Sequence, residues 1–393
     1  MAGLSNALPP APVGWAIKWH DRALALRDRL LSSARFQRWA VAFPLTRPVA
    51  RRCARALFDL CAGFVYSQVL LACVRLRVFD MLAPGPQTVA VLSTRLGLAP
   101  DATTLLLKAA ASLRLVEHCR DDRFRLGVLG AALLADPGIP AMVDHHPLLY
   151  ADLDDPVALL RGRSSNTALA RCWPYTRTDA GAELGISDVI TYSQLMSVSQ
   201  PLIAAEILAA YPVERHRCLL DVGGGDGTFL AACAARAPLL RLVLFDLPAV
   251  AELARKRFAV SDIASRATAV GGNFLSDPLP IGADLVSLVR VIHDHDDASA
   301  LSILRAVRRV LPRDGVLLLA EPLSGTKGRD RVTDAYFAVY LLSMSRGRPR
   351  TAAELTGLLQ TAGFGHVRFL ANRTLPFARV VLARPAKRTV NTT

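Results

Sequence analysis

The stretch Cys218–Ala237, CLLDVGGGDGTFLAACAARA, decides how the rest of the chain is read. Its first five residues have the length and apolar character of a buried strand, and they include Asp221. Glycines follow at 223, 224, 225 and 227, and the remainder, rich in alanine, has helical composition. Strand, glycine turn and helix open a nucleotide-type α/β domain, because glycine lets the chain turn tightly and lets a ligand approach its backbone. Two common versions of the turn do not fit. The G-x-G-x-x-G spacing of dinucleotide sites fails at Thr228, and no Lys–Ser/Thr pair follows as in a phosphate-binding loop. The loop is also acidic, with Asp221 and Asp226. Two carboxylates repel a pyrophosphate but not the sulfonium and α-amino groups of S-adenosylmethionine. The loop Asp221–Thr228, with Gly223 and Gly225, is therefore expected to hold that cofactor.

Downstream residues extend the site. Asp246 closes the apolar run in LVLFDLP, just before Leu247, about twenty residues after the loop. A carboxylate there accepts hydrogen bonds from ribose hydroxyls; capping the next helix is the plainer alternative. In GGNF, Asn273 offers an amide and Phe274 a ring where an adenine would lie. The run SLVRVIHDHDD places Arg290, His293 and Asp294 at the C-terminal end of a strand, the edge where open α/β sheets bind ligands. His293 is the natural general base, and Glu321, closing VLLLAE, can fix its tautomer from the neighbouring strand. Arg290 is grouped with the cofactor contacts and Asp294 with the acceptor side. Asp296 and Asp297 read as helix caps, and His295 as a solvent-facing loop residue. Tyr192 and Met196, in YSQLMSVSQ, can line a pocket entrance, although packing explains them equally well.

Strands at Cys218–Val222, Leu240–Asp246, Thr268–Gly271, Leu285–Val291 and Val316–Glu321 alternate with helices. That rhythm predicts an α/β fold with a Rossmann-like, doubly wound parallel sheet. The runs His366–Leu370 and Arg379–Ala383 lie too close for a crossover helix, so they form a hairpin and the last of seven strands is antiparallel. The domain spans 201–385, with a short tail at 386–393.

Ahead of it, residues 57–135 read as a small, mostly helical unit. A helix around Phe64–Leu82, the turn Pro84–Gly85–Pro86, two further helices and a hairpin about Arg120–Arg123 make a winged-helix arrangement. The helix that would read DNA, Asp101–Leu113, starts with an acid and offers only Lys108 as a base, which argues against nucleic acid as a partner. The unit is better suited to burying apolar surface against a second subunit. Residues 136–200 form a helical connector.

Residues 1–56 hold ten bases against only Asp21 and Asp28, more than half of the chain's net +14, and three of its four tryptophans: Trp15, Trp19 and Trp39. Arginine mixed with tryptophan suits an anionic membrane surface. Packing on the protein's own body, with arginines reaching outward, is the competing reading. The apolar stretch Ala56–Val74 is interrupted by Asp59, Ser67 and Gln68, so a buried helix fits it better than a membrane span. Seven scattered cysteines with no C-x-x-C pair suit a reducing compartment and read as buried structural residues. No metal site is expected, and the protein is expected in the cytoplasm, with peripheral contact to a membrane.

The motifs DVGGGDGT, LFDLP, GGNF, IHDHDD, LLLAEP and GRPRTAAELTGLLQTAGF occur here in the order seen in class I O-methyltransferases with a winged-helix dimerisation domain. The resemblance covers roughly 60–385. Within that family the N-terminal extension and IHDHDD look most like the bacterial carotenoid enzymes of the hydroxyneurosporene (demethylspheroidene) type. The resemblance implies a homodimer and methylation of the tertiary 1-hydroxyl of acyclic carotenoids. It further implies His293 as base, Glu321 as its companion, and Gly223, Asp246 and Asn273 as cofactor contacts. Two departures stand out: Asn273 replaces an acid, and Pro349 stands where a second glutamate is frequent, leaving one carboxylate for the base. A small phenol or polyketide is the alternative acceptor. A cofactor-sensing DNA-binding regulator is the alternative from another class.

Overall fold

The structure, a computed structural model, describes residues 13–162, 166–172, 186–325, 332–371 and 378–386, without the side chains of 13–18, 186–192, 194 and 195. Three strands, β1 (Gln87–Thr88), β2 (Val116–His118) and β3 (Arg123–Leu126), form a small antiparallel sheet in the order β1-β3-β2. It packs with the helices Val78–Leu82, Val89–Leu96 and Pro100–Ser112 around Phe79, Leu92, Leu107 and Phe124, the core of the winged-helix unit.

The C-terminal domain is the expected doubly wound sheet. Its first five strands are β4 (Cys218–Val222), β5 (Arg241–Asp246), β6 (Ala267–Gly271), β7 (Leu285–Val289) and β8 (Val316–Glu321). The short strands β9 (Leu323–Ser324) and β10 (Arg350–Thr351) pair in parallel beside it, and β11 (Phe364–Phe369) with β12 (Arg379–Pro385) completes it. The seven-stranded order is β11-β12-β8-β7-β4-β5-β6, with β12 antiparallel to both neighbours. Both faces of the central strands are covered, which is why they read as unbroken apolar runs. Leu219 packs on one side with Phe229 and Ile207, while Leu220 and Val222 pack on the other with Ile303 and Leu304. Strand order reverses between β4 and β7, so a crevice opens at their C-terminal ends.

Several expected boundaries move. The strand expected to reach Val291 stops at Val289, because Arg290 takes a left-handed conformation (φ 58°) and a short 3-10 turn, Ile292–Asp294, follows. The boundaries at 56/57 and 200/201 fall inside continuous helices, Arg47–Arg75 and Ile186–Ala210. Pro48 does not break the chain, because it sits in the first turn of its helix, where a missing N–H costs nothing. The helix expected to run to Leu82 instead ends at Arg75 and restarts at Val78, with Arg77 left-handed (φ 56°) between them. The apolar segment from Ala56 is not buried within the chain: Leu57, Phe58, Leu60 and Phe64 are all exposed. By length and composition alone this is one helix that could cross a membrane. Nor are all the cysteines buried, since Cys53 and Cys61 are exposed on the same helix.

Candidate active site

The glycine loop forms one wall of the crevice. Gly223, Gly225 and Gly227 all have positive φ, which side chains resist. At Gly225 (φ +62°) a Cβ would meet nothing within 4 Å, so this glycine faces open space and leaves its backbone approachable. A partly open cleft lies in front of this loop. Around it stand Met196 and Gln200 from the Ile186–Ala210 helix, the loop glycines, Phe274, Arg290, Asp294 and His295.

Of the loop's two acids, Asp221 sits behind that wall and Asp226 lines the cleft. Asp221 is buried and accepts a 2.6 Å hydrogen bond from Ser287 Oγ, while its Oδ2 has no hydrogen-bond partner. Burial, opposed by that bond, pushes it up to about 7. Asp226 is engaged locally: Arg257 reaches its Oδ2 at 2.5 Å, Ser197 donates to the same oxygen, and Thr228 N donates to Oδ1. Its charge is thus matched by Arg257 from the Pro248–Ala259 helix, which weakens the electrostatic argument for half of the acidic pair. Asp246, fully buried, accepts from Gly225 N and Leu247 N at 2.8 and 2.7 Å, so it braces the loop from beneath. Leu247 packs with Val250 away from the cleft. Asn273 spends its Oδ1 on Leu275 N in a local turn, and only Phe274 of that pair reaches the cleft. Arg290 clasps the Ile186–Ala210 helix through Ser199 Oγ, Met196 O and Gln200 Oε1 at 2.9, 3.2 and 2.8 Å. The Tyr192 side chain lies outside the described residues.

His293 stands just beyond the cleft, buried between two carboxylates. Its Nδ1 is 2.6 Å from Glu321 Oε2 and its Nε2 is 3.1 Å from Asp294 Oδ1. Glu321 also accepts from the backbone N–H groups of Val291, Ile292 and His293, so one carboxylate shapes the turn and orients the ring together. The ring thus has two acidic neighbours, Glu321 and Asp294, rather than the single carboxylate expected. Burial, the largest influence, pushes the imidazole down. Asp294 and then Glu321 outweigh it, and His293 titrates above the ordinary histidine value. Burial raises Asp294 to about 6. His295 is not solvent-facing: it is buried, edge-on to Phe274 at 5.4 Å, and burial lowers it to about 4.

Several residues at this site escaped the sequence reading. Arg350, 2% exposed, donates to the carbonyls of Ile292 and His295, both at 2.7 Å, and to Asp297 at 2.9 Å. Asp296 does cap its helix through Ser299 N, but Asp297 pairs with Arg350 and Arg348 instead. Gly347 (φ +80°) packs so closely that a Cβ would lie 2.2 Å from His293 O. Across from the ring, Phe337 meets His293 edge-on at 6.2 Å, and Tyr336 and Tyr340 hydrogen-bond His146 and His145 at 2.9 and 3.0 Å. Burial lowers both of those histidines, so this wall is uncharged near neutral pH. The i,i+4 tyrosines and the HH pair were the available signal, but nothing local shows that elements nearly 200 residues apart meet. Among the described residues no group of three His, Cys, Asp or Glu side chains could hold a metal ion.

The arrangement has known counterparts. Residues 58–136 match the O-methyltransferase dimerisation domain and residues 150–365 the O-methyltransferase domain. The chain is 45% identical, over 98% of its length and 99% of the relative's, to the demethylspheroidene O-methyltransferase of Cereibacter sphaeroides. Among solved structures it resembles human N-acetylserotonin methyltransferase in complex with SAM (26% identity, TM-score 0.71, 85% of this chain and 98% of that one). It also resembles a methyltransferase of calicheamicin biosynthesis in its SAH-bound form (26% identity, TM-score 0.70, 85% and 98%). The open glycine cradle and the unsatisfied Asp221 Oδ2 beneath it fit such a ligand. With the fold and both domain matches in agreement, the chain belongs to the S-adenosylmethionine-dependent O-methyltransferase family that carries an N-terminal dimerisation domain.

Proposed function

We propose that this enzyme methylates the tertiary 1-hydroxyl of an acyclic carotenoid, working in the cytoplasm against the membrane that holds the pigment. The observation that carries the reading is the near full-length 45% identity to an enzyme named for that acceptor class. The neutral aromatic wall formed by Phe337, Tyr336 and Tyr340 opposite His293 supports it, because it suits an apolar substrate carrying one hydroxyl.

S-Adenosylmethionine, when bound, supplies an electrophilic methyl on sulfonium. Gly223 and Gly225 would hold it through their approachable backbone, Phe274 would stack on the adenine side, and Asp246 would take the ribose while bracing the loop from below. Asn273 and Leu247 would contribute through the backbone of their turns, and Asp221 through its buried charge. Arg290 and Met196 would close the cleft from the Ile186–Ala210 helix. His293 Nε2 would take the acceptor's hydroxyl proton, with Nδ1–H held by Glu321. A tertiary alcohol is a weak acid, so proton loss follows methyl transfer rather than preceding it. Asp294 stabilises the imidazolium and meets the acceptor hydroxyl beside Nε2.

The test is incubation of the enzyme with labelled cofactor and two acceptors, a hydroxylated acyclic carotenoid in lipid and a soluble phenol. Label should enter the pigment. Label in the phenol alone would establish the small-aromatic reading instead. A pH profile checks the base. Because His293 titrates above the ordinary value of 6.5 and must be neutral to accept a proton, kcat should rise with pH along a limb centred above 6.5. Asp294→Asn removes the stronger of the two raising charges, so the limb should move to lower pH. An unmoved limb would mean that another group sets the profile.

A further inference from the structure

We propose that the corner Phe43–Val49, with the arginine-rich helices leading to it, docks on an anionic lipid surface. The corner joins the helices Ala34–Ala42 and Arg47–Arg75 and presents Phe43, Leu45 and Val49 to solvent, Leu45 at 81% exposure. Trp39, also exposed, stacks on Phe43 with ring centroids 5.1 Å apart, which makes one aromatic slab beside the apolar tip. Such a tip is poorly placed in water and well placed at the headgroup–acyl boundary.

Its backbone is prepared for a medium poor in water. Thr46 Oγ1 donates to Ala40 O at 2.8 Å, and Arg47 donates to Val41 O and Ala42 O at 3.1 and 2.9 Å. These are the carbonyls that a helix C-terminus otherwise leaves open, and satisfying them within the corner removes the cost of inserting it.

The charges around the tip complement phosphate. Arg35, Arg38, Arg51, Arg52 and Arg55 are exposed near the corner, and Arg22, Arg27 and Arg29 continue the series on the Val13–Ser32 helix. Arg22 lies over the Trp19 ring at 5.9 Å, so cation and indole are presented together. Asp21 and Asp28 are the only acids between residues 19 and 56.

A second copy of the chain is the competing occupant, and the two surfaces separate along the helix. The dimerisation domain begins at residue 58, so exposed Phe58, Leu60, Phe64 and Val65 lie within it, whereas the corner lies outside. A two-fold contact of the corner with its own copy would set arginine against arginine. Lipid satisfies both the apolar tip and the charges. The inference draws its purpose, delivery of a pigment dissolved in lipid, from the carotenoid reading, but not its geometry.

The test uses the full-length enzyme and pigment-free vesicles of phosphatidylcholine, with and without phosphatidylglycerol. Cosedimentation is expected only with the anionic vesicles and should weaken as salt rises. Two variants, Phe43→Ser/Leu45→Ser and Arg38→Gln/Arg51→Gln/Arg52→Gln, should each bind at least tenfold more weakly while remaining dimeric by light scattering. Undiminished binding by both variants, equal binding to neutral vesicles, or conversion of either variant to monomer would overturn the proposal. Because no pigment is present, vesicle binding without carotenoid methylation would refute the acceptor and leave the docking intact.

Discussion

Replacing His293 with alanine should lower kcat by about 10²–10⁴-fold, the usual worth of a positioned general base. Affinity for S-adenosylmethionine, measured by calorimetry, should stay within a factor of two or so, because the ring stands beyond the cleft wall rather than on it. The substitution is a clean probe for a structural reason. Glu321 keeps its three backbone donors when the imidazole is gone, so the turn from Val291 to His293 stays braced and the loss reports chemistry rather than collapse. Unaltered turnover would end the assignment of His293 as base. Removing Glu321 is a poorer experiment, since that carboxylate shapes the turn as well as the ring.

Arg350→Ala should be the most damaging change outside the cleft, destabilising the protein by about 2–5 kcal/mol and lowering turnover with it. The guanidinium is almost wholly enclosed and gathers two carbonyls of the Ile292–His295 turn and the Asp297 carboxylate. Alanine leaves those carbonyls short of donors in a buried setting, and unpaired buried polar groups are costly. Lysine cannot restore the site, because one ammonium cannot reproduce a planar fork that serves three acceptors. Thermal unfolding measures the first effect, and kcat near the unfolding-free temperature range measures the second. A melting temperature unchanged by Arg350→Ala would contradict the clamp.

The fold was legible because its cues are local. β4 and the glycine loop are contiguous, and the spacing between β11 and β12 leaves no room for a crossover helix, so the antiparallel end of the sheet follows from chain length alone. His293 and Glu321 were findable because one follows and the other closes neighbouring parallel strands, β7 and β8, at the same sheet edge. What was missed depends on partners distant in sequence. Arg350 reads as one more basic residue until β10 brings it under the Ile292–His295 turn, some 55 residues away in the chain. His295 looked like a loop residue because nothing local reveals that Phe274 covers it. The acidic loop was only half understood: Arg257, on the Pro248–Ala259 helix beyond β5, claims Asp226, and no spacing rule predicts that pairing.

The 29-residue helix Arg47–Arg75 sets a mechanical condition on the molecule. At 1.5 Å per residue it is a strut of about 43 Å, with the basic corner at one end and the dimerisation domain beginning a few turns along. A continuous helix fixes angle as firmly as distance. Each residue added between Arg52 and Phe58 would swing one end against the other by about 100°, whereas a seven-residue addition would return it nearly to phase. The length of that short span is therefore locked to the angle between the basic corner and the dimerisation domain.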